Sequence, residues 1–262
     1  MEKQFEQKTV MITGAGSGLG RSSAIKLAKE GANLSLVDID REALKVTRAT
    51  ILQANPETEL LLLSADVSKE DSVKKYVDDT LSQFGSIHGF YNNAGISEHL
   101  ADLADYTSAS FSKVIDVNLF GVFYGLKYVL PIMKKQQQGS IVNTASIAGI
   151  RGIANRAGYV ATKHGVVGLT KSAAIEYAQY GISVNAIAPG RILTNMVVNS
   201  FKERNPENWE ASAADAAKDI PAKRLGTSEE VAALVAFLLS EEARYINGTV
   251  ISIDGGLSSK FD

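Results

Sequence analysis

The chain has 262 residues, 45% of them apolar, and a formal net charge of −2 at pH 7. This length and apolar content fit one large α/β domain, so we predict a single domain over residues 1–262. The charges are spread along the chain without a basic run, which argues against a nucleic-acid partner. The chain has no cysteine, which excludes disulfides, thiol catalysis and zinc–thiolate sites.

The hydropathy pattern predicts a soluble, cytoplasmic protein with no membrane partner. Residues 1–8 are polar and lack the apolar segment of a signal peptide. No apolar run is expected to be long enough to span a bilayer, since Val231–Leu239 is short and leads into charged residues.

Seven short apolar or β-branched runs alternate with longer segments of helical period, such as Arg21–Lys29 and Ser72–Phe84. This alternation predicts a single-domain Rossmann-type α/β fold, a doubly wound sheet of about seven parallel strands with helices on both faces. The predicted strands are Thr9–Thr13, Asn33–Val37, Glu59–Ala65, Ile87–Asn92, Ser140–Ser146, Ile182–Ala188 and Thr249–Ile253.

The least patterned segment is residues 194–224, which is polar and rich in alanine at its centre. An irregular insertion late in a doubly wound fold is typical of a substrate lid. We therefore predict a lid here, in which Trp209 either closes over the substrate or anchors the lid to the body.

The first predicted strand runs into a glycine-rich turn, Thr13–Gly20, before a helix begins. Glycines allow a sharp turn and a close approach of the backbone to a pyrophosphate, and the helix N-terminus offers it unpaired N–H groups. The spacing is T-G-x-x-x-G-x-G rather than G-x-G-x-x-G, and an ordinary tight turn is the alternative. The residues predicted to hold phosphate here are Gly14, Ser17, Gly18, Leu19 and Gly20.

The second predicted strand is followed by Asp38, twenty residues after Gly18. A carboxylate at this place can accept hydrogen bonds from both ribose hydroxyls of NAD and would repel the 2′-phosphate of NADP. Ser17, at a place where a cation would bind that phosphate, agrees with NAD, whereas the nearby Arg41 does not. The alternative is that Asp38 only caps the next helix.

Tyr159 and Lys163 are spaced i and i+4, which places them on one face of a helix. A phenol titrates near ~10, and a neighbouring ammonium favours phenolate, so we expect Lys163 to lower the pKa of Tyr159. The pair would then serve as general base for an alcohol and general acid for a ketone. Tyr-x-x-x-Lys pairs also occur by chance, so further residues are needed.

Ser146 follows the apolar run Ile141–Ala145, and strand ends of this kind face the ligand crevice. A hydroxyl there can donate a hydrogen bond to a developing alkoxide. The alternative is a serine that only caps the following turn.

Two further sites carry asparagine. Asn92–Gly95 closes the fourth predicted strand with small residues that let the backbone approach a cofactor. Asn118 interrupts an apolar helix, and a buried asparagine must find hydrogen-bond partners. We expect it to hold a water that links Lys163 to solvent.

These motifs, together with Pro189–Gly190 and Ile253–Gly256, resemble those of the short-chain dehydrogenase/reductase family over essentially the whole chain. The resemblance implies NAD(H)-dependent hydride transfer, on the B face of the nicotinamide, to or from a secondary alcohol or ketone. It also implies a homotetramer formed through the helix of Tyr159 and the helix before it. The implied catalytic residues are Asn118, Ser146, Tyr159 and Lys163.

The resemblance also implies an NAD site. It puts Asp66 and Val67 at the adenine, and Ile192 and Thr194 at the nicotinamide carboxamide. The full predicted cofactor-binding set is Gly14, Ser17, Gly18, Leu19, Gly20, Asp38, Ile39, Asp66, Val67, Asn93, Ala94, Gly95, Tyr159, Lys163, Pro189, Ile192 and Thr194.

The substrate is less defined by the sequence. Residues 150–155, 163–170 and 235–240 are similar to those of NAD-linked reductases of cyclic diketones, which implies a cyclic ketone or diketone. The alternatives are a 3-oxoacyl-[acyl-carrier-protein] reductase, which normally uses NADPH, and a sugar dehydrogenase of the glucose or gluconate type. A non-enzyme alternative is an NAD-sensing regulator, but such proteins commonly lose the tyrosine or the lysine.

Histidines complete the candidate functional residues. His88, His99 and His164 show no metal-ligand spacing, so no metal site is predicted. Glu98 and His99 follow Gly95, near the expected pocket mouth. We consider a substrate contact for His99, and for Glu98 either a role in pocket polarity or a solvated loop position.

Overall fold

The computed structural model describes residues 3–98 and 100–260, except the side chain of Arg204. His99 therefore lies outside the described residues. Seven parallel strands form one sheet in the order β3-β2-β1-β4-β5-β6-β7, which confirms the predicted fold class. The strands are β1 (Thr9–Thr13), β2 (Asn33–Asp38), β3 (Leu60–Ser64), β4 (Gly89–Asn92), β5 (Gly139–Thr144), β6 (Ile182–Pro189) and β7 (Val250–Ile253).

Helices connect the strands and cover both faces of the sheet. The first begins at Gly18 rather than at the predicted Arg21, because the glycine-rich turn itself forms its first turn. The helices are α1 (Gly18–Lys29), α2 (Arg41–Ala54), α3 (Glu70–Phe84), α4 (Ser108–Ile115), α5 (Gly121–Gln136), α6 (Ala157–Tyr177), α7 (Asn195–Arg204), α8 (Trp209–Lys218) and α9 (Ser228–Leu239).

The core has two halves, one on each face of the sheet. Within β1, Val10 and Ile12 belong to one half and Met11 to the other, and none of the three is exposed. This is the period-2 alternation of a strand buried on both faces. The central strands are thereby fixed rigidly, and so are the residues that follow their carboxyl ends.

The strand order reverses direction between β1 and β4, which are neighbours in the sheet. Ligands of open α/β sheets bind outside the carboxyl ends of the strands at such a switch point. The glycine-rich turn after β1 and the Asn92–Gly95 segment at the end of β4 therefore meet at one crevice.

The segment predicted to be unpatterned holds two helices, α7 and α8. Their N-termini are capped by side chains, because Thr194 accepts from the backbone N–H of Val197 and Asn208 accepts from that of Ala211. The Lys202 ammonium lies 6.0 Å from the ring centroid of Trp209, so this tryptophan connects the two helices. That residues 194–224 act as a lid stays a prediction.

One helix is long and apolar enough to span a membrane, although the sequence analysis expected no such segment. Residues Ser108–Gln136 form a continuous helix of 29 residues with a hydropathy of 1.3, long and apolar enough to cross a bilayer. Its apolar content has another explanation in the fold, because Val122, Val129 and Met133 belong to the core against the sheet. A core helix of an α/β protein passes the same test of length and composition.

Candidate active site

A cavity of about 350 Å³ lies at the switch point, and its wall is formed by the segments that follow the strands. It contains every residue of the predicted catalytic and cofactor sets except Gly20 and Asn118. Wall residues outside these two predicted sets are Ala65, Ile96, Val117, Thr144, Ala145, Gly190, Asn195, Met196 and Val197.

The glycine-rich turn forms one end of the cavity. Gly14 has a φ of +68°, and a Cβ there would lie 2.9 Å from the side-chain nitrogen of Asn93. Gly20 faces away from the cavity, since its Cβ would lie 2.1 Å from the carbonyl oxygen of Gly14. Gly20 therefore lets α1 pack closely behind the turn. The Ser17 side chain makes no capping bond, so the first N–H groups of α1 are available to a phosphate.

Thr13 ties three strand ends together and was not singled out by the sequence analysis. Its hydroxyl accepts the backbone N–H groups of Asn93 (2.9 Å) and Ala94 (3.0 Å). The Asn93 side chain in turn donates to the Thr13 carbonyl and accepts from the hydroxyl of Thr144. The ends of β1, β4 and β5 are held in fixed register by this network.

Asp38 is half-buried in the cavity wall, at the end of β2. One of its carboxylate oxygens accepts the backbone N–H of Gly16 at 2.8 Å, and the other accepts that of Asp40 at 3.0 Å. The cap of α2 is Asp40, which accepts from Glu42 and Ala43. The alternative role of Asp38 as only a helix cap is therefore not what the structure shows. The carboxylate joins the glycine turn to the region predicted for the ribose.

The fit to a dinucleotide rests on these observations. The glycine turn leaves no room for a Cβ at Gly14, the N-terminus of α1 opens toward the cavity, and the Asp38 carboxylate stands beside it. A pyrophosphate suits the first two features and a ribose diol suits the third.

Lys163 lies on α6 and is 3% exposed. Its ammonium donates to the backbone carbonyl of Thr144 at 2.7 Å and lies 5.5 Å from the ring centroid of Tyr159. Burial lowers the pKa of Lys163 to about 8. The structure therefore brings the two residues together at one end of the cavity, as their spacing predicts.

The proton affinity of Tyr159 differs from the sequence expectation. Burial raises the pKa of the phenol, while a hydrogen bond with Ser146 lowers it. The positive charge of Arg156 also lowers this pKa, and the negative charge of Glu98 raises it. The expectation of a lowered pKa is wrong for the protein alone, because desolvation outweighs the favourable charges.

Ser146 caps the following turn, and it also lines the cavity; its donation to an alkoxide stays a prediction. Its hydroxyl accepts the backbone N–H of Ala148 at 3.1 Å, which caps the short helix Ile147–Gly149. It also lies close enough to the Tyr159 phenol to lower the pKa of that phenol. The capping bond fixes the rotamer, so the hydroxyl stays directed at the cavity end where the phenol lies.

Asn118 is fully buried in a π-helical segment, Asp116–Phe120, between α4 and α5. Its amide oxygen accepts the N–H of Ile96 at 2.8 Å, and its amide nitrogen donates to the Ile96 carbonyl at 3.0 Å. The side chain thus fixes the loop after β4, whose Ile96 faces the cavity. The expected water link to Lys163 stays a prediction.

Glu98 is bound to the protein rather than solvated. Its Oε2 accepts the backbone N–H of Tyr159 at 2.9 Å and the phenol of Tyr106. No local signal reveals this contact, because it joins residues 61 positions apart. Arg151, in contrast, donates to the carbonyl of Leu257 at 2.9 Å and anchors the C-terminal segment.

No group of three or more histidine, aspartate or glutamate side chains that could hold a metal ion occurs within residues 3–98 and 100–260.

Comparison with known proteins identifies the family. A family model described as enoyl-(acyl carrier protein) reductase matches residues 14–258. The chain belongs to the short-chain dehydrogenase/reductase family, whose members use nicotinamide cofactors, and is an oxidoreductase that acts on CH–OH groups.

Particular relatives cover nearly the whole chain. Levodione reductase of Leifsonia aquatica is 52% identical, over 98% of this chain and 97% of the relative. A crystal structure of levodione reductase aligns over 98% of this chain and 100% of that chain, with a TM-score of 0.96 and 52% identity. Cyclohexanol dehydrogenase of Acinetobacter sp. (strain SE19) is 40% identical, over 99% of this chain and 98% of the relative.

A second solved structure contains a named cofactor. NAD⁺-bound xylitol dehydrogenase aligns over 97% of this chain and 100% of that chain, with a TM-score of 0.91 and 34% identity.

Proposed function

We propose that the chain is an NAD(H)-dependent reductase and dehydrogenase of cyclic ketones and the corresponding secondary alcohols. The observation that carries this proposal is that Ser146, Tyr159 and Lys163 converge on one end of the cavity. The glycine turn and Asp38 line the same cavity. This arrangement supports an acid/base and a dinucleotide site within reach of one substrate.

Tyr159, Ser146 and Lys163 have different roles in proton transfer. When bound, the nicotinamide supplies or accepts the hydride. In ketone reduction, Tyr159 donates its phenolic proton to the carbonyl oxygen, and Ser146 donates a hydrogen bond to the same oxygen. In alcohol oxidation, the tyrosinate takes the hydroxyl proton. Lys163, held by the Thr144 carbonyl, places a positive charge next to the tyrosinate that forms.

The choice of NAD over NADP is supported by Asp38. Its carboxylate is half-buried at the position where a 2′-phosphate would place a second negative charge. The similarity to the NAD⁺-bound xylitol dehydrogenase supports the same choice.

A cyclic substrate is supported by the names of two relatives and by the cavity wall. The relatives are levodione reductase and cyclohexanol dehydrogenase, which act on cyclic ketones or alcohols. In this chain the wall includes the apolar side chains of Ile96, Val117, Met196 and Val197. Such a wall suits a ring with few hydroxyl groups better than a sugar.

We also propose a cytoplasmic homotetramer that uses α5 and α6. Phe120, which ends the π-helical segment before α5, is 43% exposed. Phe123 on α5 is 40% exposed, and Ile175 on α6 is 82% exposed. Apolar side chains grouped on neighbouring helices are typical of a protein interface.

The experiment is a panel of carbonyl compounds and alcohols assayed by nicotinamide absorbance. The panel contains cyclic diketones, cyclohexanol, sugars, polyols and a 3-oxoacyl thioester, each with NADH or NADPH as the reaction requires. We expect the highest kcat/KM with a cyclic ketone and NADH. Preference for the thioester with NADPH would contradict the proposal, and no absorbance change with any compound would favour an NAD-sensing role.

A variant makes the cofactor part of this experiment sharper. Asp38→Ser removes the carboxylate and is expected to raise the KM for NADH by roughly 10- to 100-fold, the effect of losing hydrogen bonds to a charged group. Asp40→Ser is the matched control, because Asp40 caps α2 and does not line the cavity. Equal effects of the two substitutions on KM would contradict the assignment of Asp38.

A further inference from the structure

The loop after β4 reaches the helix that carries the acid/base. Glu98 Oε2 accepts the backbone N–H of Tyr159 itself, at 2.9 Å, in the first turn of α6. The same oxygen accepts the phenol of Tyr106. The carboxylate therefore binds the positive end of the helix dipole at the residue whose side chain handles the proton.

The carboxylate is packed closely against the helix backbone. A Cβ on Gly158 would lie 2.8 Å from Glu98 Oε2 and 2.9 Å from the hydroxyl oxygen of Tyr106. The second oxygen, Oε1, is buried and has no hydrogen-bond partner among the described residues. No lysine or arginine forms an ion pair with Glu98 in the part of the chain that the structure describes. Its negative charge is therefore met by two hydrogen-bond donors and the N-terminus of α6, and not by an ion pair with a lysine or arginine of the described residues.

A positive charge lies at the start of the same helix. Arg156 is the residue that precedes α6, three positions before Tyr159. Its guanidinium donates to the hydroxyls of Ser97 (3.4 Å) and Ser200 (3.5 Å), which are neutral. No carboxylate is paired with it within residues 3–98 and 100–260.

We propose that Glu98 and Arg156 are positioning residues for Tyr159 with opposite electrostatic effects. Glu98 holds the first turn of α6 in place and disfavours the tyrosinate, while Arg156 favours it. Among the described residues, the further charged group near the phenol is Lys163, on the same helix. The Tyr106 phenol is linked to Tyr159 through Glu98. This inference rests on the proposed function, because it requires Tyr159 to exchange protons with the substrate.

The effects of the two charges on Tyr159 agree with the contacts described above. The positive charge of Arg156 lowers the pKa of Tyr159 and the negative charge of Glu98 raises it. Alcohol oxidation needs the tyrosinate and ketone reduction needs the phenol. The two charges therefore shift the ionisation of Tyr159, and with it the pH profiles of oxidation and reduction, in opposite directions.

The test is a pair of substitutions that remove each charge while keeping hydrogen-bonding capacity. Glu98→Gln retains an oxygen that can accept the N–H of Tyr159, and Arg156→Gln retains a donor for the serines. Two readouts are used: the pH profile of kcat/KM for alcohol oxidation, and the ultraviolet titration of tyrosinate corrected with Tyr159→Phe. We expect Glu98→Gln to shift both titrations to lower pH and Arg156→Gln to shift both to higher pH.

Glu70→Gln is the matched control for loss of a carboxylate. Glu70 accepts from the Tyr128 phenol at 2.9 Å and from Lys127, far along the chain from α6. It is expected to leave both titrations unchanged. Unshifted profiles in Glu98→Gln, or shifts of the same sign in the two variants, would overturn the inference.

The spectroscopic readout separates this inference from the proposed function. If Tyr159→Phe keeps normal turnover, the proposed function fails, whatever the absorbance titrations show. If Tyr159→Phe is inactive and the Glu98→Gln titration is unshifted, only the inference fails. If Glu98→Gln does not fold, Arg156→Gln alone tests the inference. A shift of its titrations to higher pH supports the inference, and no shift or a shift to lower pH overturns it.

Discussion

The ammonium of Lys163, which we propose acts beside Tyr159, is costly to the fold because it is buried. Burial lowers its pKa from 10.5 to about 8, which corresponds to a destabilisation of about 3 kcal/mol below pH 8. The hydrogen bond to the Thr144 carbonyl offsets part of this, by about 1.5–3 kcal/mol for a charged donor. The residue is therefore retained for its chemistry and not for stability.

This balance predicts a pH-dependent effect of Lys163→Met. Between pH 8 and pH 10.5 the folded chain binds fewer protons at Lys163 than the unfolded chain, so the stability of the native protein rises with pH. We expect native Lys163 to gain about 3 kcal/mol relative to the methionine variant across this interval. The measurement is the free energy of unfolding of both proteins in urea at each end of it. A difference that does not change with pH would contradict the burial of a charged lysine.

At the residue scale, the sequence predicts what is spaced locally. Tyr159 and Lys163 share a helix, and Ser146 and Asp38 each follow a strand, so periodicity is enough to place them. Glu98 and Thr13 act through contacts with residues far along the chain, which no local spacing reveals. The direction of the Tyr159 pKa was also out of reach, because desolvation depends on the packed surroundings.

At the element scale, the glycine turn leaves little room for a substitution. Gly14 combines a φ of +68° with a Cβ position 2.9 Å from the Asn93 side chain and 3.1 Å from the Cα of Ala94. An alanine there would strain the backbone and press β1 away from the loop after β4.

The prediction for Gly14→Ala is a loss of about 1–3 kcal/mol in the free energy of unfolding, the range for strain at such a backbone position. Weaker NADH binding is expected as well, since the turn is part of the cavity wall. Chemical denaturation and a fluorescence titration with NADH measure the two effects. Gly152→Ala is the control, because a Cβ at Gly152 meets nothing within 4 Å. Similar losses in both variants would show that the turn has no special requirement.

Elements with an apolar period were predictable, and elements defined by caps were not. The ends of the strands were predicted to within two residues, because runs buried on both faces read as continuous apolar segments. The helices α7 and α8 begin at capping residues Thr194 and Asn208 and lack a broad buried face, so periodicity gave no signal. The π-helical turn at Asn118 also depends on a partner outside its own helix, Ile96.

At the scale of the whole molecule, the alternation of strands and helices was enough to predict the fold class. The assembly is different, because the sequence indicates it only through resemblance to a family. The structure adds the exposed apolar side chains of α5 and α6, on which the proposed tetramer depends.

The assembly is tested by Phe123→Asp. Phe123 is 40% exposed on α5, and a carboxylate buried in an interface without a partner is strongly unfavourable. We expect the molar mass measured by light scattering to fall from that of a tetramer to that of a dimer or monomer. Val46→Asp is the control, since Val46 is 53% exposed on α2. An unchanged mass for Phe123→Asp would exclude α5 from the interface.

The central claim is that the phenol of Tyr159 transfers the proton. The most direct measurement is the single-turnover rate of ketone reduction by Tyr159→Phe with saturating NADH, together with the Kd for NADH. We predict a fall in the rate of about 10²- to 10⁴-fold, the usual contribution of a general acid, with a Kd close to that of the native protein. A rate within a few-fold of native, at unchanged Kd, would contradict the account.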